Sequence, residues 1–323
     1  MILPEPFQNA LILTGPTASG KTALALELAV RLNAEIIAMD SMTLYQGMDI
    51  GTAKPSPAER AAVPHHLIDV LDPWDSGNVA WWLSEAARCC REIESRGKQA
   101  LFVGGTPFYL KALLQGLFDS PPADHELRRQ LELEAERLGP SAFHAKLAAV
   151  DAPTAARLHP NDTRRIVRAL EVWQLTGKPL SEWQKQGWWN NSQERSAPET
   201  LRVAASPAIA DLPRCLAIDL PREELYARIN RRVEVMIESG WIDEIQRLRK
   251  LAKPLSKEAS QALGYREINE FLDGRRTIGE TIAEIQLRSR QFAKRQLTWF
   301  RNLNGCRLVE GKLTFDLWRE KMS

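Results

Sequence analysis

The sequence Gly15-Pro16-Thr17-Ala18-Ser19-Gly20-Lys21-Thr22 is the clearest indication of the fold. It matches the phosphate-loop pattern G-x-x-x-x-G-K-[ST] at every fixed position, follows a short apolar run at 10–14 and precedes apolar residues at helical spacing. A strand, a glycine-rich loop and a helix in that order form an anion cradle, because backbone N–H groups point at the bound group. Lys21 adds a positive charge, and the Thr22 hydroxyl is placed to ligate Mg²⁺. The motif predicts that a diphosphate or triphosphate binds here.

Further strand signals surround this loop. The run 35–40 ends in Asp40, and its spacing from the loop is that of a β-α-β unit, so both strands should lie parallel. Asp40 should then lie at the carboxyl edge of the sheet, where open α/β sheets bind ligands. A third buried strand, 99–103, leads into a second glycine turn at 104–106, and 67–70 predicts one more short strand. From the residues alone, Asp40 is a partner of the Mg²⁺, a general base or an acid that caps the next turn.

Length and composition limit the class of protein. A chain of 323 residues with 44% hydrophobic residues favours two domains with a real core. No run approaches the roughly 18 to 20 apolar residues of a membrane span, and the first residues show no secretory leader pattern. The four cysteines have no zinc-site spacing, which indicates free thiols. We expect a cytoplasmic protein with no membrane partner.

The chain should divide into a core and an insertion. Residues 1–119 predict the first part of an α/β core with a parallel sheet flanked by helices, like that of the phosphate-loop (P-loop) NTPases. Residues 120–200 predict an inserted all-helical domain, whose end at 184–202 is a polar connector. Residues 201–323 return to the core and end in basic helices.

Two basic segments suggest a polyanion. Arg164, Arg165 and Arg168 share one helix face, and 288–301 carries five positive charges interleaved with aromatic residues and no acid. This pattern favours RNA, through phosphate contacts and base stacking. An ordinary solvated face and a helix packed on its own domain remain the alternatives. A predicted helix that follows a late strand also carries Arg228, Arg231 and Arg232, and such a helix can aim an arginine at the phosphate site.

Eight stretches together resemble one protein family. They lie at 15–22, 40–45, 47–55, 64–69, 104–106, 159–171, 264–266 and 293–301. In this order they resemble the tRNA dimethylallyltransferases, also called tRNA isopentenyltransferases, over about residues 10–301. The chain lacks the Cys/His array of the eukaryotic branch, so the resemblance implies the bacterial type.

The resemblance implies a reaction. The dimethylallyl group of dimethylallyl diphosphate moves to N6 of the adenine 3′-adjacent to the tRNA anticodon (position 37), and pyrophosphate leaves. Lys21, the loop N–H groups, Mg²⁺ on Thr22 and Arg232 would stabilise the departing diphosphate. Asp40 would accept the proton of the amine as general base.

The resemblance also implies an RNA-binding surface for the anticodon stem-loop, with the helical insertion clamping the loop from the far side. We expect the protein to act as a monomer. Two rivals remain: a P-loop kinase of a small metabolite or nucleoside, and an RNA-binding module with a relic phosphate loop. The implied tRNA contacts are Asp40, Ser41, Met42, Thr43, Thr106, Arg128, Arg164, Arg165, Ile166, Val167, Arg168, Gln261, Ala262, Leu263, Gly264, Tyr265 and Arg266.

Overall fold

The computed structural model describes residues 3, 5–117, 121–185 and 214–311. The chain divides into two compact units, of which the first comprises Met1–Leu114 with Arg202–Ser323 and the second comprises Gln115–Leu201. The predicted domain boundaries, after residues 119 and 200, and most of the predicted connector fall on residues outside the described ranges.

The first unit is built on one parallel sheet. Its strands are β1 (Leu11–Thr14), β2 (Ala34–Ala38), β3 (His65–His66), β4 (Gln99–Gly104), β5 (Cys215–Asp219) and β6 (Arg307–Glu310). The strand order is β3-β2-β4-β1-β5-β6, and every neighbouring pair is parallel. The central strands are short and apolar because helices cover both faces of the sheet. The predicted α/β fold is confirmed.

Some helices cover the sheet of the first unit, and others form the second unit. In chain order they are α1 (Lys21–Arg31), α2 (Pro57–Ala62), α3 (Val79–Ser95), α4 (Pro107–Gln115), α5 (His125–Leu138), α6 (Pro140–Val150), α7 (Ala152–Ala155), α8 (Thr163–Thr176), α9 (Leu180–Lys185), α10 (Arg222–Glu238), α11 (Trp241–Arg249), α12 (Tyr265–Leu272) and α13 (Ile278–Arg301). A 3₁₀ turn spans Ala259–Gln261. Helices α5 to α9 belong to the second unit, and α4 ends at its boundary.

The core of the first unit forms where α1 and α10 pack on the sheet. Leu24 and Leu28 of α1 are buried against Leu11 and Leu13 of β1, in the same cluster as Ile229 of α10. The i, i+4 spacing of the two leucines places both side chains on one face of the helix. This packing holds the phosphate loop between a buried strand and a buried helix face.

The prediction of a strand at 67–70 is wrong. The edge strand β3 lies just before it, at His65–His66, and pairs with Ile36 and Ile37 of β2. Leu67 and Asp69 adopt left-handed backbone conformations, with φ of 61° and 56°. Because that conformation is incompatible with an extended ladder, the strand ends at His66.

The second unit has a core of its own, formed between α5, α6 and α8. Its centre contains Leu131, Phe143, Leu147, Ile166 and Leu170. Aspartates begin three of its helices as N-caps: the carboxylates of Asp124, Asp151 and Asp162 accept from backbone N–H groups of the following turn. The prediction of an all-helical insertion is confirmed for the described residues 121–185.

Two findings concern membrane and redox chemistry. Within the described part of the chain, every helix is too short or too polar to cross a lipid bilayer. All four cysteines are free thiols, and Cys89, Cys90 and Cys215 are buried. Burial raises the pKa of Cys89 and Cys90, which keeps both thiols protonated at neutral pH.

Candidate functional site

A cavity of about 740 Å³ lies at the carboxyl edge of the sheet in the first unit. The phosphate loop, the turn after β2 and the turn after β4 form its floor, because parallel strands end at the same edge. Helices α10 and α13 and the segment around the 3₁₀ turn contribute the remaining walls. The lining combines apolar side chains with charged ones, which are Lys21, Asp40, Arg232, Arg266, Glu267, Arg288 and Arg295.

The phosphate loop has the geometry of an anion cradle. Gly20 precedes α1 with a φ of 89°, and no side chain caps the first N–H groups of the helix. These N–H groups carry the positive end of the helix dipole. Gly15 is required for a different reason: at its φ of 148° a Cβ would lie 3.1 Å from the carbonyl oxygen of Ile218. The hydroxyl of Ser19 is buried in the loop and has no hydrogen-bond partner among the described residues.

Lys21 lies at the centre of the charged group. Its Nζ donates to the carbonyl oxygens of Gly15, at 2.9 Å, and Pro16, at 2.7 Å. Burial, followed by the positive charge of Arg232, lowers the pKa of Lys21 to about 7, and the carboxylate of Asp40 opposes this shift. The ammonium is therefore poised to gain from an anion in the cavity.

Arg232 supplies a second cation from α10. It lies in the cavity wall and is half-buried. Burial lowers the pKa of Arg232, which Asp40 partly offsets, and within the described residues Arg232 forms no ion pair. A half-buried guanidinium without a carboxylate partner has lost part of its hydration, so the site favours an anionic ligand with oxygens for its planar fork.

Asp40 follows β2 and also lines the cavity. Its Oδ1 accepts from the backbone N–H of Met42 at 2.9 Å. Burial raises the pKa of Asp40, while that N–H and the Lys21 cation hold it down. The local turn therefore orients the carboxylate, and burial makes it a better proton acceptor than an exposed aspartate.

The second glycine turn, at 104–106, lies against the end of β2. A Cβ on Gly104 would lie 2.0 Å from the carbonyl oxygen of Met39, so only glycine allows β4 to approach β2 this closely. The Thr106 hydroxyl accepts from the N–H of Ser41 at 3.1 Å. This hydrogen bond therefore links the turn after β4 to the turn after β2, which contains Asp40.

Sequence reasoning did not assign a role to Gln296 of α13. Its side-chain oxygen accepts from the N–H of Thr17 at 2.9 Å, and its amide donates to the carbonyl oxygen of Gly105 at 2.6 Å. Gln296 is 2% exposed and so links the phosphate loop to the second glycine turn. Its place within the stretch 293–301, which carries the family resemblance, was the only signal in the sequence.

Most of the implied tRNA contacts in the first unit line the cavity. The exceptions are Gly264 and Tyr265. The Tyr265 ring is 1% exposed, and its hydroxyl donates to Glu244 at 2.7 Å, so this side chain serves the protein interior. The lining residues of the set are Asp40, Ser41, Met42, Thr43, Thr106, Gln261, Ala262, Leu263 and Arg266.

The implied contacts in the second unit fall into two groups. Arg164 and Arg165 are exposed, whereas Ile166 and Val167 are buried in the core of the unit. The side chains of Ile166 and Val167 are therefore unavailable to RNA. Their burial follows from the helical period, which places residues two positions apart, such as Arg164 and Ile166, on nearly opposite faces of α8.

Arg128 and Arg168 share a buried carboxylate. Glu171 is fully buried and accepts from Nε of Arg128 at 2.9 Å and from a guanidinium nitrogen of Arg168 at 2.6 Å. Arg168 also donates to the carbonyl oxygen of Pro121 at 2.8 Å. Both arginines thus stabilise the unit through Glu171, which sequence reasoning did not identify.

The basic segment 288–301 lies on α13 and combines packing with charge. Its buried face includes Ser289, Ala293 and Phe300. Arg288 pairs with the buried Glu267, and Arg301 pairs with Asp219 at 2.9 Å. The alternative of a helix packed on its own domain therefore describes one face. The other face exposes Lys294, Arg295 and Trp299.

Comparisons with known proteins show which family this chain resembles. The IPP transferase family model matches residues 43–303, and the isopentenyl transferase model matches residues 8–70. A tRNA dimethylallyltransferase of Geobacter metallireducens is 46% identical over 314 residues, which cover 97% of this chain and 96% of that protein.

Two solved structures are also similar. The tRNA isopentenylpyrophosphate transferase of Bacillus halodurans is 38% identical, with a TM-score of 0.64 over 97% of this chain and 94% of that one. A eukaryotic dimethylallyltransferase acting on tRNA is 26% identical, with a TM-score of 0.71 over 93% and 73% of the two chains. The chain therefore belongs to the IPP transferase family, whose relatives named here are tRNA dimethylallyltransferases and tRNA isopentenyltransferases.

Proposed function

We propose that this protein transfers the dimethylallyl group of dimethylallyl diphosphate to N6 of the adenine 3′-adjacent to the anticodon of tRNA. The products are N6-(dimethylallyl)adenosine and pyrophosphate. The observation that carries the proposal is one cavity lined by an anion cradle, by the cations Lys21 and Arg232 and by the half-buried carboxylate of Asp40. The family supplies the reaction class, since its named relatives are prenyltransferases acting on tRNA.

The diphosphate would bind at the phosphate loop. Its oxygens would accept from the first N–H groups of α1, from Lys21 and from Arg232. As the bond between C1 and oxygen breaks, negative charge grows on the leaving diphosphate. Donors fixed in place around this charge stabilise the transition state, and each contributes about 3 to 4 kcal/mol by analogy with oxyanion holes.

Asp40 would act on the nucleophile. The lone pair of an adenine amine is delocalised into the ring, so the amine needs a positioned proton acceptor. The carboxylate of Asp40, oriented by the N–H of Met42, would accept this proton as the new C–N bond forms. The adenine must leave its stack to enter the cavity, which costs a few kcal/mol and less in a loop than in a duplex.

The residues of the site fit Mg²⁺. The Thr22 hydroxyl is exposed to the cavity next to Lys21, and Mg²⁺ takes one or two protein oxygens together with phosphate oxygens and water. Thr22 would hold the ion, with Asp40 as the carboxylate in the same cavity. When bound, Mg²⁺ would supply positive charge to the diphosphate oxygens. Lys21 and Arg232 would bind and orient the leaving group.

The test is a labelling experiment. Purified protein, Mg²⁺ and unmodified tRNA are incubated with radiolabelled dimethylallyl diphosphate, and ATP labelled at the γ-phosphate replaces it in a parallel reaction. Label on adenine of the tRNA is the expected result. No label from the prenyl donor, combined with phosphate transfer from ATP to an acceptor, would refute the proposal in favour of a kinase.

A variant separates catalysis from binding. Asp40→Asn preserves the size of the side chain and removes its basicity, so we expect it to retain tRNA and to lose transfer. A relic phosphate loop in a pure RNA-binding module predicts instead that neither wild type nor variant labels the tRNA. The exposed Asp243 provides a matched control, since Asp243→Asn makes the same chemical change outside the cavity.

A further inference from the structure

Two stretches of the sequence line the cavity without a role in the chemistry above. The 47–55 loop contributes Gly51, Thr52, Ala53 and Pro55, and the 261–266 segment contributes most of its residues. They are far apart in the chain. What joins them is α11, which places Trp241 and Glu244 against both.

Glu244 is a buried carboxylate with four hydrogen-bond donors. It is 1% exposed. Its Oε2 accepts from the N–H groups of Asp49 and Ile50, both at 2.7 Å. Its Oε1 accepts from the N–H of Gly51 at 3.2 Å and from the hydroxyl of Tyr265 at 2.7 Å.

These four bonds use the acceptor capacity of the carboxylate in full. Three consecutive N–H groups can converge on one anion only when the backbone of the loop curves around it, as in an anion nest. Within the described residues Glu244 forms no ion pair with a lysine or arginine, so its charge is compensated by these donors. The loop conformation and the carboxylate therefore depend on each other.

Trp241 is the second residue of α11 that contacts both stretches. A Cβ on Gly51 would lie 2.2 Å from the Trp241 Nε1, and a Cβ on Gly264 would lie 2.1 Å from its ring. Both glycines are thus required by the close approach of one indole. The Trp241 ring also packs edge to face against Tyr265, with centroids 6.0 Å apart. The loop and the segment meet the same two side chains of α11.

We propose that Glu244 is a positioning residue for the tRNA acceptor: it fixes the 47–55 loop and the 261–266 segment as one wall of the cavity. The inference rests on the proposed function, in which residues of that segment contact the tRNA. The part of the cavity that would bind the diphosphate is formed by other elements, the phosphate loop and α10. Loss of the Glu244 carboxylate should therefore weaken use of the tRNA and spare binding of the diphosphate.

The experiment is the variant Glu244→Gln in the full chain. The side chain keeps its size, but an amide NH₂ replaces one oxygen and turns toward two of the donors, so two of the four hydrogen bonds are lost. We expect kcat/KM for an anticodon stem-loop RNA to fall about 10- to 100-fold, because small displacements of a positioning wall have effects of that size. The Kd for pyrophosphate, measured by calorimetry, should stay within about twofold of wild type, because its binding groups are untouched.

Two further variants complete the test. Asp243→Asn is the matched control on the exposed side of α11 and should leave both constants unchanged. Tyr265→Phe removes one of the four donors and keeps the ring. It should lower kcat/KM for the RNA by a smaller factor than Glu244→Gln. If Glu244→Gln fails to fold by circular dichroism, Tyr265→Phe carries the test with the same two measurements.

The outcomes are distinct. Wild-type kinetics with the RNA in Glu244→Gln would overturn the proposal. Parallel loss of pyrophosphate binding and RNA turnover would also overturn it, since Glu244 would then only support the fold. Failure of the wild-type protein to label tRNA would overturn the proposed function, and the premise about the acceptor with it.

Discussion

Lys21 should make binding of the diphosphate depend on pH. Burial and Arg232 lower its pKa to about 7 in the free protein. Half of the free protein then carries the ammonium at pH 7 and about one hundredth at pH 9. A bound diphosphate places negative charge next to Nζ and raises the pKa again. Binding must therefore take up a proton above pH 7, and the apparent affinity for pyrophosphate should fall about 50-fold between pH 7 and pH 9.

Calorimetry in two buffers of different ionisation enthalpy measures this uptake directly. At pH 8 about 0.9 proton per bound pyrophosphate is expected from Lys21. The variant Lys21→Met has no titrating group at this position, so it reports the protons that the ligand itself exchanges. An affinity of the wild type that is constant from pH 7 to pH 9, or the same uptake in both proteins, would refute the reasoning.

Three further predictions test other groups. Asp40→Asn should lower kcat about 10²- to 10⁴-fold, the range of general-base catalysis, while filter binding shows tRNA affinity within a few fold of wild type; equal loss of binding would contradict the assigned role. Arg232→Ala should weaken pyrophosphate binding about 10- to 150-fold in calorimetry, the range of a hydrogen bond to a charged group, and an unchanged Kd would remove Arg232 from the site. Glu171→Gln removes the buried carboxylate from two partly exposed arginines, Arg128 and Arg168, and should destabilise the second unit by about 1.5 to 3 kcal/mol in urea unfolding; unaltered unfolding would show that the pairs contribute nothing.

The parts of the fold that follow local rules were predictable. The phosphate loop, β1, β2 and β4 were recognisable because short apolar runs and glycine turns carry their own signals. The strand at 67–70 was wrong because two left-handed residues, Leu67 and Asp69, are not glycines and give no such signal. The order of motifs predicted the family, which the comparisons confirmed.

The candidate site was predicted in part. Lys21, Asp40 and Arg232 line one cavity, and their roles in the reaction stay predictions. The implied RNA contacts Ile166 and Val167 are buried, and Arg128 and Arg168 bind Glu171, because a stretch taken whole from a family pattern does not separate the faces of a helix.

The anion cradle was predictable from local sequence, because the torsions of glycine and the charge of Lys21 act within eight residues. The contacts that hold the cradle and the 47–55 loop in place depend on the folding of distant segments. Gln296 reaches Thr17 across 279 positions of the chain, and Glu244 reaches Gly51 across 193. A buried glutamine or glutamate has no local signature, since its partners are backbone groups that the folded chain alone brings within hydrogen-bond distance.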